Sequence, residues 1–492
     1  MTARLTRATA PHSALLLPDG APAQGIVHLG LGNFHRAHMA VYTAKAVAKA
    51  GGDWGILAYS FRSKTIAEAM SEQDLLYSVV TIDPAINAID IPGIHTRVLA
   101  GPEHAAAVVE AIALAQTKIV SLTITEAGYK ISQSTHGLDF TAPEIIADLK
   151  VGSAPTSAIG MIVQGLLLRS ETHRAPITIL SCDNLSANGE RTKSLVLDFV
   201  KAMAESGDLL SYIDSHVTFP NSMVDRIVPG TELRHLTMVE EGLGVHDSTP
   251  VPAEAFTMWV IEDHFAAGRP AWDQVGATMS DEVELFEILK LRLLNGAHSL
   301  IAYLGGLAQC ETIPAARFQP FIEDAINKAL FHEYLPTLTL PKGLNAHLYI
   351  DQLFGRWSNT ALGDRTSRVG SDGSAKLPQR VATPAIFHIN KGEMPHMLAL
   401  TVAAYLACLA PLNGFEPGPV AREMKDPLKE NLQDVAAASA SPADFVTQVF
   451  NQNLIFNAEI AALPGFSDQV ATYLQSIMDS GVEATTLAAL NS

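Results

Sequence analysis

Lys290, Asn295 and His298 fall within a nine-residue span of the segment DEVELFEILKLRLLNGAHSLIAYLGG, residues 281–306, and their types allow proton chemistry. A lysine withdrawn from water has its charged form disfavoured, so it can take a proton near neutral pH. An amide and an imidazole beside it could hold an oxygen. The same three residues also admit a structural reading, in which Lys290 reaches solvent, Asn295 bends the helix beside Gly296, and His298 is a hydrogen-bonded core residue. The segment alone leaves both open. A second group of interest is GIVHLGLGNFHRAH, residues 25–38, where Gly30-x-Gly32 follows a β-rich run and precedes helix formers. That order suits a dinucleotide: the first glycine allows a tight turn, the second lets backbone approach a pyrophosphate, and the amides of the following helix point at the anion. His35 stands where a third glycine is usual. His35 and His38 have metal-pair spacing, but no third ligand is nearby, so no metal site is expected.

These groups need elements to hold them. Residues 281–306 read as one helix: Asp281 and Glu284 have capping-box spacing, Phe286, Leu289, Leu293, Ala297, Leu300 and Leu304 recur every three or four residues, and Gly305-Gly306 supplies a stop. At about 100° per residue, Lys290, His298 and Asn295 sit near 0°, 80° and 140°, on one side of that helix. Toward the N-terminus, strands are expected at Ile26–Leu29, Gly55–Phe61, Leu76–Ile82, Lys118–Thr123 and Ile177–Leu180, alternating with helix-length segments. Such alternation predicts a mostly parallel α/β sheet, with ligands at the carboxyl ends of strands. Gly30, Arg62, Glu126 and Asn184 lie at such ends. The second strand ends in Arg62-Ser63-Lys64-Thr65, with two cations and no acid to accept a ribose 2′-hydroxyl, so a 2′-phosphate is tolerable there. From Asp281 onward helical periods dominate, including an apolar helix from Met397 to Ala410, and a dividing line is expected at 280/281. The run Arg368-Val369-Gly370-Ser371-Asp372-Gly373-Ser374-Ala375-Lys376 reads as a loop that brings two cations into a glycine-serine segment.

Composition narrows the partners. The 492 residues carry 33 basic and 51 acidic side chains, net −18, which argues against nucleic acid and against anionic membrane. Cys182, Cys310 and Cys408 are too scattered for a disulfide framework or a zinc site, so a reducing cytoplasm is expected. No secretory h-region follows Arg4 and Arg7, and no stretch is long and apolar enough for a transmembrane helix. No tyrosine here is followed four residues later by lysine, so a Tyr-x-x-x-Lys pair is absent.

Six motifs in order then resemble the polyol-specific long-chain dehydrogenases, the family of mannitol 2-dehydrogenase, D-arabinitol dehydrogenase and fructuronate reductase. They are Gly30-x-Gly32-x-Phe34-His35-Arg36-Ala37-His38, Ser121 to Glu126 with Gly128-Tyr129, Ser181-Cys182-Asp183-Asn184, Met223-Val224-Asp225-Arg226, Lys290-x4-Asn295-x2-His298, and Arg368 with Ser371-Asp372-Gly373-Ser374-x-Lys376. The resemblance runs nearly end to end and accounts for His35. It implies an α/β fold with an N-terminal Rossmann-type domain (1–280), a mostly helical C-terminal domain (281–492) and an active site in the cleft between them. It implies hydride transfer between NAD or NADP and a polyol/ketose pair such as mannitol and fructose, with Lys290 as base and Asn184, Asn295 and His298 beside it. Asp225, Arg368 and Lys376 would meet the sugar chain, and Glu287 would pass protons to solvent. Gly30, Gly32, Phe34, Arg36, Arg62, Lys64 and Glu126 would meet the cofactor. NAD is the first choice, although family members that prefer it carry an acid at the position of Lys64. The family suggests a monomer. Fructuronate reduction, or a nucleotide sensor without turnover, are the other expectations.

Overall fold

Most of the β-rich runs of the first two hundred residues are apolar on both faces, which requires cover on both sides, and the computed structural model shows all but one of them as strands of one parallel sheet. The structure describes residues 2–492 apart from 87, 151, 205 and 413. Two compact units divide it, Met1–Glu284 and Leu285–Ser492. In the first, strands β1 (Gln24–Leu29), β2 (Gly55–Ser60), β3 (His95–Ala100), β4 (Ile119–Leu122), β5 (Ile177–Ser181) and β6 (Val217–Thr218) lie in the order β3-β2-β1-β4-β5-β6. All neighbours are parallel. The order reverses between β1 and β4, the switch point at which a doubly wound sheet opens a crevice for ligand. Leu29 stands opposite both Tyr59 and Leu122, so the carboxyl ends of β2, β1 and β4 come level at Ser60, Gly30 and Thr123.

The run Leu76–Ile82 does not join this sheet. Val79–Thr81 pairs instead with Val251–Ala253 and Ile89–Asp90 in a separate three-stranded sheet. The strand beside β2 is β3, whose alternation is masked by two polar residues: Arg97 is exposed at the sheet edge, while His95 is buried against another histidine.

That histidine is His35. It lies in the short helix α1 (Asn33–Ala37), which is followed after His38 by α2 (Met39–Ala50). The His35 ring stacks on His28 of β1 with centroids 3.5 Å apart, and its Nε2 is 3.0 Å from His95 Nε2. His28 Nε2 donates to the Gly30 carbonyl at 3.2 Å, so its Nδ1 accepts from the Ser121 hydroxyl at 2.9 Å. The third glycine of the usual fingerprint is thus replaced by an aromatic stack that fills the space between helix and strand. All three rings are held neutral: burial pushes His28 and His95 down to about 3, and burial together with the neighbouring rings pushes His35 well below its usual value. In the unfolded chain each would titrate near 6.5, so the unfolded state binds more protons below that pH, and folding stability present above pH 6.5 is lost as pH falls toward 3. Unfolding free energies from urea titration are expected to drop between pH 7.5 and 5.5, by about 1.4 kcal/mol over that range for each histidine. A flat profile over that range would show that the rings are not held neutral.

The second unit is helical. Phe286, Leu289, Leu293, Ala297, Leu300 and Leu304 are at most 5% exposed, so the apolar stripe is core. The helix that carries it is not uniform: α3 (Val283–Leu289) passes into a π-helix, Lys290–Gly296, and then into α4 (Ala297–Leu307). Gly305 and Gly306 do not stop it. A Cβ on Gly305 would lie 2.5 Å from the Ala316 Cβ, and one on Gly306 would lie 2.6 Å from Met424 Cε, so these glycines admit neighbours instead. α4 packs on the helix His396–Leu409, nearly every residue of which is buried. The first amides of that helix, Met397 and Leu398, donate to the Glu333 carboxylate at 2.8 Å. Burial pushes Glu333 up to about 7, against the pull of those two bonds.

Candidate active site

Gly30 makes the closest approach among the glycines of the first unit. Its φ is +112°, and a Cβ there would lie 2.0 Å from the Thr123 carbonyl oxygen, so only glycine lets the β1 and β4 ends approach. Its amide and that of Leu31 both donate to the Tyr59 carbonyl at 2.9 Å. Gly32 differs. A Cβ on it would meet only the Gly30 carbonyl oxygen, at 3.7 Å, so the fold itself does not require glycine there. Nor does any side chain cap the start of α1 at Gly32. Bare backbone left facing open space is what a pyrophosphate needs for close approach, so these residues fit a dinucleotide.

The β4 end is held by a residue that composition and spacing did not single out. Asp183, at the end of β5, accepts from Ile124 N at 3.0 Å, Thr125 N at 2.9 Å and the Tyr129 hydroxyl at 2.9 Å. Thr125 has φ +62°, a strained conformation that two amide bonds to one carboxylate sustain. Burial pushes Asp183 up and these bonds pull it down. Its neighbour Asn184 is exposed in the turn beyond, as is Glu126 after β4. The signal for Asp183 was its place beside Asn184 in the same motif.

Phe34 is half-buried and stacks on His38 at 5.0 Å. Arg36, expected at the cofactor, points into the unit. Its Nη1 donates to Thr249 O at 2.6 Å and Oγ1 at 2.8 Å, and its Nη2 to Asn33 Oδ1 at 2.7 Å. Tyr77 donates to the Arg36 carbonyl, and the guanidinium lies 5.2 Å from that ring. It therefore tethers the glycine segment from behind, because a buried guanidinium with these partners is costly to move. Asp225 is buried at the end of Ser222–Asp225, and Arg226 donates to the carbonyls of Glu254 and Ala37. Arg62 is exposed, and Lys64 is ion-paired with Glu103.

In the second unit Glu287, Lys290, Asn295 and His298 are all half-buried on the helix just described. Lys290 and Asn295 open and nearly close the π segment. In a π turn a residue and the fifth after it are linked by the i→i+5 bond, so these two side chains lie closer in rotation than the 140° of an α-helix. The bulge has a neighbour that fits it: a Cβ on Gly296 would lie 2.5 Å from Tyr334 Cζ. Trp357 lies beside His298, with ring centroids 5.7 Å apart.

The Arg368–Lys376 run is helical where a loop was expected. Helix α5 (Thr366–Gly370) carries Arg368, and α6 (Gly373–Ile389) carries Lys376, joined through Ser371 and Asp372, the latter at φ +58°. Arg368 is exposed and pairs with Asp364. Lys376 Nζ donates to Ser371 O at 2.5 Å, and burial, with Arg380 and Arg368 adding to it, pushes its ammonium down. Arg380, one turn on, donates to Ser299 Oγ at 2.8 Å, next to His298. Among the described residues no group of three or more His, Cys, Asp or Glu could hold a metal. No helix there is long and apolar enough to cross a membrane.

A doubly wound sheet with a glycine turn at its switch point, joined to a helical unit bearing a lysine and an asparagine on a π turn, defines a dinucleotide-dependent oxidoreductase of the Rossmann class. The sequence profile of the mannitol dehydrogenase Rossmann domain matches residues 24–274, and that of the mannitol dehydrogenase C-terminal domain matches residues 282–478. The chain belongs to the mannitol dehydrogenase family. It is 37% identical over 461 residues to the D-mannonate oxidoreductase of Escherichia coli K12, covering 93% of each chain. It is 36% identical over 471 residues to the mannitol 2-dehydrogenase of Cereibacter sphaeroides, covering 94% of this chain and 96% of that one. The ternary complex of Pseudomonas fluorescens mannitol 2-dehydrogenase with NAD and D-mannitol superposes with a TM-score of 0.82, at 30% identity, over 99% of this chain and all of that one.

Proposed function

We propose that the chain interconverts a polyol and a ketose with NAD, mannitol and fructose being the first pair to assay. The observation that supports the assignment of roles is the π turn, which brings half-buried Lys290 and Asn295 closer in rotation on a helix whose apolar stripe is core. When bound, NAD supplies the hydride acceptor, and Gly30, Gly32, Phe34, Arg62, Lys64 and Glu126 are the residues that would hold it. Arg36 acts on it through the packing of the glycine segment. Lys290 Nζ takes the hydroxyl proton during oxidation and returns it during reduction. The amides of Asn184 and Asn295 donate to the oxygen as it gains negative charge, an interaction stronger for the developing anion than for the neutral alcohol. His298, Asp225, Arg368 and Lys376 hold the remaining hydroxyls, and Glu287 relays protons between Lys290 and water.

A sugar acid is the second reading. Lys376 has Arg380 one turn behind it, and paired cations suit a carboxylate better than a neutral chain. The D-mannonate oxidoreductase relative supports that reading. Following the nicotinamide absorbance with mannitol, arabinitol, sorbitol, mannonate and fructuronate tests both. The neutral polyols are expected to turn over; exclusive use of the acids would favour the second, and tight cofactor binding without any turnover would make the chain a sensor. We place it as a monomer in a reducing cytoplasm, in keeping with three buried free thiols, and light scattering tests the first of these.

A further inference from the structure

We propose that Glu103 selects NAD over NADP by compensating the charge of Lys64 at the adenosine 2′ position. The inference rests on the reading that the first unit binds a dinucleotide. In a doubly wound sheet the adenosine ribose lies at the carboxyl end of the second strand, where a carboxylate accepts from the 2′-hydroxyl or a cation meets a 2′-phosphate. Here that end is Arg62-Ser63-Lys64, which taken alone would favour the phosphate. The acid comes from the adjacent strand instead. Glu103 follows β3, and its Oε1 forms an ion pair with Lys64 Nζ. The hydrogen bond they share pushes Glu103 down and Lys64 up, so both remain charged at neutral pH.

The backbone is built around this pair. Gly101 has φ +85°, and a Cβ on it would lie 2.5 Å from Glu103 Oε2 and 2.9 Å from Lys64 Cε, so its missing side chain makes room for both. Gly101 is itself fixed: its amide donates to the Ser60 carbonyl at 3.1 Å, and the buried Tyr59 hydroxyl donates to its carbonyl at 3.0 Å. The side chains of Lys64 and Glu103 are 53% and 46% exposed, and an ion pair so open to water contributes little to folding. Its position at two level strand ends is what needs explaining. With Glu103 ionised, Lys64 is neutralised and the strand end keeps Arg62 alone, while a 2′-phosphate arriving there meets a carboxylate.

Calorimetric titration of the full chain with ADP-ribose and with 2′-phospho-ADP-ribose reads this directly. Glu103→Gln is expected to shift the affinity ratio toward the phosphorylated ligand by about tenfold or more, with an unchanged melting temperature. Adding Lys64→Ala to that variant is expected to return the ratio to near its parent value. A ratio unmoved by Glu103→Gln overturns the proposal, as does a shift that survives removal of Lys64. If the parent binds neither ligand, the dinucleotide reading itself fails; if it binds ADP-ribose normally and only the ratio stays put, Glu103 alone is misassigned.

Discussion

Replacing Lys290 with alanine is expected to lower turnover by about three orders of magnitude while leaving NADH affinity within about twofold of the parent, because general-base catalysis contributes on that scale and the lysine belongs to the second unit. The cofactor-holding residues named above all belong to the first. A structural lysine would behave differently. Its loss would lower melting temperature, and turnover and cofactor affinity would fall together. Steady-state rates and NADH fluorescence titration separate the two outcomes, and Lys290→Arg adds a control: it keeps the charge but cannot act as a base near neutral pH, so it should be nearly as inactive as alanine.

The second large effect concerns two glycines that a motif search treats alike. Gly30→Ala is expected to destabilise the first unit by about 3 kcal/mol or more, since a side chain at that φ is strained and must also displace the Thr123 carbonyl. Gly32→Ala should leave the melting temperature unchanged, because the methyl would meet only the Gly30 carbonyl oxygen, at an ordinary contact distance of 3.7 Å. Its cost should fall on NADH binding, by about tenfold or more, through lost approach of the pyrophosphate to backbone. Parent-like NADH affinity in Gly32→Ala would mean that the pyrophosphate does not lie over this turn.

Much of this was legible in the sequence, and the exceptions share a cause. The strands β1, β2, β4 and β5 and the apolar stripe of residues 286–304 declare themselves because burial imposes a period. What periodicity cannot show is a polar residue whose partner is distant in the chain. His95 hid β3 because a histidine interrupts an apolar run unless one knows that His35 meets it across the fold. Arg36 looked like a ligand contact for the same reason, its acceptors at Thr249 lying more than two hundred residues away. Glu103 was invisible until β3 was in place beside β2. The start of α6 was read as part of a loop because Gly370, Ser371, Asp372, Gly373 and Ser374 argue locally against helix, and burial of Leu377, Val381 and Ala385 further along overrides them.

The π segment also sets what kinds of mutation the active helix can tolerate. A π turn carries one residue more than the α-helix around it needs, and a deletion anywhere between 290 and 296 would let the chain relax to the commoner form. A deletion would keep the two flanking stripes in phase but carry Lys290 and Asn295 apart in rotation, whereas an insertion would turn one side by about 100° relative to the other, and neither side has freedom to turn. Phe286 and Leu289 are locked in the core before the bulge, Leu300 and Leu304 after it. Length is therefore the protected quantity in this stretch. Half-buried Leu291 can change its chemistry at modest cost, but a single codon lost or gained would put either the base or the core out of phase.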